Sequence, residues 1–214
     1  MQAMQRRSPV SFGTRPLRSE ARDGWPVVRE YTGEGPGPWL VDLSHRRRWD
    51  VQDGRIDRLR PWGLALPGTP GACDCRDGLL AGRLNATQAA VWHLAGEAPP
   101  APEGSAFTEV TEAGVLLAVV GAACLGVAEK LSRLDLADPV RPERWLHQGP
   151  FAHVPAQVVA WRGSQGDGAL LVACSRGYGR DLVHAVMDAG AAFGLRPAGE
   201  AAFHGWLARV EAAA

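Results

Sequence analysis

Phe107–Leu136, FTEVTEAGVLLAVVGAACLGVAEKLSRLDL, is the stretch that decides the fold. Gly114 to Val120, GVLLAVV, is a continuous apolar run with β-branched residues, the pattern of a fully buried strand. Gly121 breaks the run. Cys124, Val127 or Ala128, Leu131 and Leu134 then recur at the spacing of one helix face, with Glu129, Lys130 and Arg133 on the other. Asp135 and Pro139 stop that helix. The pattern predicts a buried strand feeding an amphipathic helix that packs back on it.

Downstream, Ala156 to Trp161 and Ala169 to Cys174 read as two strands of a hairpin, joined by the glycine-rich loop 162–168. Arg180 to Phe193 is a helix with Gly194 as its C-cap. A last helix carries Phe203, Trp206, Leu207 and Val210 at i, i+3, i+4 and i+7. From residue 106 the order is ββα twice, which predicts an α+β fold of antiparallel sheets with helices on one face and two pseudo-repeated ββα halves. Upstream, strands are expected at 39–43, 49–52, 79–84 and 89–95. Residues 1–38 read as a loose polar arm and linker, 39–100 as a first α+β part and 106–214 as a second. The Pro-rich loop 96–105 (GEAPPAPEGS) marks the boundary between the two parts.

Composition narrows the function. The chain has 214 residues, 46% of them hydrophobic, with 23 Lys+Arg against 23 Asp+Glu. Net charge zero argues against nucleic acid as the main partner, because phosphate binding needs a basic surplus. A neutral protein is poorly protected against association, which favours life in a complex or a homo-oligomer. No apolar run approaches the ~20 residues of a membrane span, and no charged start precedes an apolar core, so a cytoplasmic, reduced protein is expected. Cys73-Asp-Cys75 is too tight for a zinc knuckle and no second Cys/His pair answers it, so no metal is expected.

The motifs of familiar active sites are missing. There is no G-x-S-x-G elbow, no P-loop and no G-x-G-x-x-G after a strand, and the six histidines are scattered. Trp161 and Arg162 start the glycine-rich loop, where a ring and a guanidinium could stack on a flat ligand or simply pack beneath the loop.

Four stretches together resemble one family. Val41-Asp42-Leu43-Ser44-His45 is similar to the "DVSH" segment of the glycine cleavage T-protein (aminomethyltransferase) superfamily. Leu116–Leu136 resembles its strand–helix, Val154–Cys174 its "tGytGE-dGyEly" hairpin, and Asp181–Gly199 its "leaGeefGl-paG" helix. The resemblance spans about residues 39–200 and implies a fold that binds tetrahydrofolate as one-carbon acceptor. It makes Asp42 and His45 candidate cofactor-binding residues, with Trp161, Arg162 and Asp167 beside the hairpin loop.

The departures matter as much as the matches. Ala81 and Gly82 stand where the family's catalytic acids belong, and Leu170 stands where its pterin-binding glutamate belongs. Losing one such charge-assisted pair costs about 1.5–3 kcal/mol, roughly tenfold to a hundredfold in affinity. A chain without these acids and without the family's C-terminal barrel is most similar to the sarcosine oxidase gamma subunit. That similarity implies a non-catalytic subunit of a flavin-dependent amine oxidase or dehydrogenase complex in one-carbon metabolism. The alternative is a stand-alone tetrahydrofolate-binding protein or aminomethyltransferase whose acids have moved to Asp74, Asp77 or Asp167.

Overall fold

The run Gly114–Val120 is a strand buried on both faces, in a computed structural model that describes residues 5–163 and 166–212. In chain order the described strands are β1 (Pro16–Arg22), β2 (Trp25–Tyr31), β3 (Trp39–Asp42), β4 (Arg48–Gln52), β5 (Cys73–Arg76), β6 (Leu79–Arg83) and β7 (Gln88–His93). They continue with β8 (Phe107–Glu109), β9 (Gly114–Val120), β10 (Arg144–Phe151), β11 (Val154–Trp161), β12 (Ala169–Ser175) and β13 (Arg196–Ala198). The helices are α1 (Cys124–Glu129), α2 (Gly179–Gly190) and α3 (Glu200–Ala212). The protein is α+β, built on antiparallel sheets with few helices.

One sheet has the order β10-β11-β12-β9-β3-β13, antiparallel except where β13 runs parallel to β3. Successive side chains of a strand point to opposite faces. Val115, Leu117 and Val119 of β9, with Leu170 and Val172 of β12, therefore pack beneath α1 and α2. Leu116, Ala118 and Val120, with Ala169 and Leu171, face the other way, onto α3. Two apolar faces explain why these strands read as unbroken apolar runs. The placement of α3 departs from the expected single helical face: Phe203, Trp206 and Leu207 cover the opposite side of the sheet.

The second sheet has the order β5-β6-β7-β4-β8. Its inner face, Leu80, Ala90 and Trp92, stacks on the α3 side of the first sheet. Its outer face, including Trp49, Val51 and Ala81, is closed by Ile56, Leu64 and Leu66 from the irregular segment that follows β4. The loop 96–105 does not separate two sheets. β3, from before it, pairs with β9, and β8, from after it, pairs with β4.

Two further differences have local causes. Residues 16–31, expected in a loose arm, form the β1–β2 hairpin. Six of the seven residues of β1 are exposed, so no alternation marks it, while Trp25 and Val27 of β2 are buried and hold the hairpin down. Helix α1 ends at Glu129, five residues early, where the Ala128 carbonyl accepts from both Leu131 and Ser132 and the chain turns. The loop 162–168 includes Ser164 and Gln165, which lie outside the described residues.

Candidate binding site

Between the two sheets lies a cavity of about 560 Å³. Arg48 and Asp50 of β4 and Trp92 of β7 form one wall, and β10, β11 and β12 supply the other through Gln148, Gln157 and Ala173. Arg48 and Asp50 project on the same face because they are two residues apart on a strand. Arg48 is 2% exposed. Its Nη2 donates to the carbonyls of Thr111 (2.7 Å) and Gly114 (2.8 Å). Its Nη1 has no partner among the described residues. Burial pushes this guanidinium down to about 10, against the pull of Asp42, since a buried cation without a close counter-ion is poorly stabilised. Burial likewise raises the Asp50 carboxyl, with Arg48 opposing it.

A second cluster is built around Glu200, the first residue of α3 and fully buried. The helix N-terminus favours a carboxylate there. Glu200 accepts from Arg22 of β1 at 2.9 Å to each oxygen and from Arg29 of β2 at 2.6 Å. It also accepts from His45 Nε2 at 2.8 Å and Arg46 Nε at 2.6 Å. Burial alone would raise this carboxyl. The hydrogen bonds from His45 and Arg22 and the charge of Arg46 instead hold it well below the usual carboxylate range. The cluster ties hairpin, core loop and last helix together, and Gly199 just before it lies against the backbone of Arg29 with no room for a side chain.

This arrangement of two stacked sheets has a known counterpart. A chain of the heterotetrameric sarcosine oxidase from Corynebacterium sp. U-96, solved in complex with pyrrole 2-carboxylate, superposes with a TM-score of 0.57. The chain has the fold of a sarcosine oxidase subunit. Identity is 16%, and the match covers 72% of this chain and 84% of that one, so the matched subunit is the shorter of the two. No family model matches the sequence, and no curated protein sequence matches it.

Within this sarcosine oxidase subunit-like fold the candidate site residues fall in three places. Asp42 and His45 line a smaller cavity of about 350 Å³ beneath the N-terminal segment, together with Tyr31 and Trp25. Both are engaged: Asp42 accepts from Ser8 Oγ and from the Ser44 amide, and His45 serves the Glu200 cluster. Trp161 is 1% exposed. It donates to Glu143, meets Trp206 edge-on at 5.3 Å and carries the Arg144 guanidinium over its ring. No ring face is left for a ligand, and packing is its role. Arg162 donates to the carbonyls of Asp138, Arg141 and Pro142, holding the preceding loop. Asp167 accepts from the Trp206 indole through its carbonyl and faces Arg209. The structure thus separates Asp42 and His45 from Trp161, Arg162 and Asp167, and none of the five lines the cavity between the sheets.

The positions where the resemblance would put acids are equally informative. Ala81 is fully buried on the outer face of the second sheet, beneath Ile56 and Leu64. Leu170 is fully buried beneath α1 and α2. Gly82 is packed against Leu146, whose Cδ2 would lie 2.9 Å from a Cβ there. Arg48 escaped the sequence reading because it stands in Arg46-Arg47-Arg48, which looks like a solvated basic run. The alternation of β4 was the available signal: Trp49 and Val51 fill one core and so turn Arg48 and Asp50 to the other face.

Proposed function

We propose that this chain is a non-catalytic, gamma-subunit-like component of a flavin-dependent amine oxidase or dehydrogenase complex acting in one-carbon metabolism, in the cytoplasm. The observation that supports it is the sarcosine oxidase subunit-like fold with apolar residues packed where the superfamily's acids would stand. A carboxylate at Leu170 would sit in a core of Val, Leu and Ala side chains, where an unpaired charge is strongly disfavoured. The thiols offer no substitute nucleophile. Burial raises those of Cys73, Cys75 and Cys124 to about 12, so they are protonated at neutral pH.

The test is to tag the chain in its own host and purify it at low salt. Co-elution at fixed stoichiometry with a flavin-bearing polypeptide, in an assembly that oxidises an amine while the isolated chain does not, is the expected result. Turnover of an aminomethyl or methyl donor by the isolated chain would overturn the reading.

A further inference from the structure

We propose that the open cavity between the two sheets is a binding site for a small carboxylate with an apolar body, and that Arg48 is the residue that receives the carboxylate. The proposal goes beyond the subunit reading and rests on the cavity alone. A guanidinium keeps its charge at neutral pH and holds its donors in one fixed plane, so a single free Nη can still give a carboxylate a charge-assisted hydrogen bond. Nη2 of Arg48 is committed to two backbone carbonyls, which fixes the plane of the group. Nη1 is the donor left over, in a residue 2% exposed that lines a cavity of about 560 Å³. No carboxylate of the chain lies within ion-pairing distance of it among the described residues. The other buried cations among the described residues, Arg46 and Arg83, are each paired, with Glu200 and Asp57. A bound anion would give Arg48 the same compensation.

The remaining walls define the rest of the ligand. Trp92, Val115, Pro150, Pro155, Ala156 and Ala173 make the cavity largely apolar. This favours a ring or short aliphatic body over a phosphate or sulfate, which would leave those walls unfilled. Gln148 and Gln157 of the facing strands can orient one further polar group. Asp50 is the one carboxylate among the lining residues, so the ligand's negative end is directed to Arg48 and away from Asp50.

The experiment is a titration of the full-length protein, followed by ¹H–¹⁵N spectra, with benzoate, cyclohexanecarboxylate, uncharged benzamide and inorganic phosphate as probes. The two carboxylates should give saturable shifts with a Kd of about 1 mM or tighter. Benzamide and phosphate should bind at least about tenfold more weakly, the discrimination expected of one charge-assisted contact within an apolar site. Arg48→Met should weaken carboxylate binding by about tenfold to a hundredfold. Asp50→Asn should strengthen it a few fold. Ala173→Phe fills the cavity with Arg48 intact and should abolish it. Should Arg48→Met fail to fold, the Ala173→Phe variant and the benzoate-to-benzamide ratio still decide the matter. Absence of saturable shifts up to about 20 mM, equal binding of benzamide and benzoate, or unchanged binding by Ala173→Phe would each overturn the proposal.

Discussion

Replacing Glu200 by glutamine keeps the shape of the residue and removes the only acid in contact with Arg46 among the described residues. Arg46 is 4% exposed, and Glu200 is fully buried. The Arg22 and Arg29 side chains are 30% exposed, so water can relieve part of their loss. Removing one partner of a buried ion pair costs about 3–5 kcal/mol, because a charge is left uncompensated. Arg46 carries most of that cost here. For a chain of this length each kcal/mol lowers Tm by about 2–4 °C, so Glu200→Gln should lower Tm by roughly 6–20 °C. Urea unfolding followed by tryptophan fluorescence is the right assay, because urea does not screen charge. A second variant, Glu200→Gln with Arg46→Gln, should recover part of the loss, with a coupling of about 0.5–3 kcal/mol. A cost under about 1 kcal/mol for the single change, or strict additivity of the two, would refute the view that Glu200 compensates a buried cation.

Other consequences can be checked independently. Gly199→Ala should destabilise by about 1–3 kcal/mol or more and loosen the β1–β2 hairpin, because the new Cβ would meet the Arg29 carbonyl group, which as backbone cannot move aside; limited proteolysis within residues 16–31 is the readout. Stability should fall with acid in two phases. Burial, aided by Arg46, depresses His93 from 6.5 to about 4, and burial lowers His147 and His204 too, so the unfolded chain takes up these protons first and stability is lost as pH falls below 6.5, a phase that His93→Gln should shrink. Glu200, also depressed, contributes stability that is full above the unfolded carboxylate value of about 4.3 and is lost below it, so Glu200→Gln should flatten the acid limb of the curve. Calorimetric titration with tetrahydrofolate should show no micromolar site, and micromolar heat would favour the folate-binding alternative.

What the sequence determined by itself was the part governed by local periodicity. The apolar run of β9, the hairpin of β11 and β12 and the face of α3 each follow from side-chain spacing, and with them the α+β class, while the likeness to a sarcosine oxidase subunit came from the matched segments between residues 39 and 200. Strands with few apolar residues were invisible to that signal. β1 is exposed along nearly its whole length, and β13 is only three residues long. Pairing was decided only in three dimensions, since β3 meets β9 and β8 meets β4 across more than fifty residues of chain, and nothing local encodes a partner that distant. The same holds for the two sites. Arg46 and Arg48 stand in one basic run, yet Arg46 meets Glu200 and Arg48 lines a cavity with no ion pair among the described residues. Alternation along β4 could place Arg48 and Asp50 on one face, but it says nothing of Arg46, which precedes the strand. Whether an acid waits there depends on which distant elements the fold brings together, and that is set by burial of the whole core.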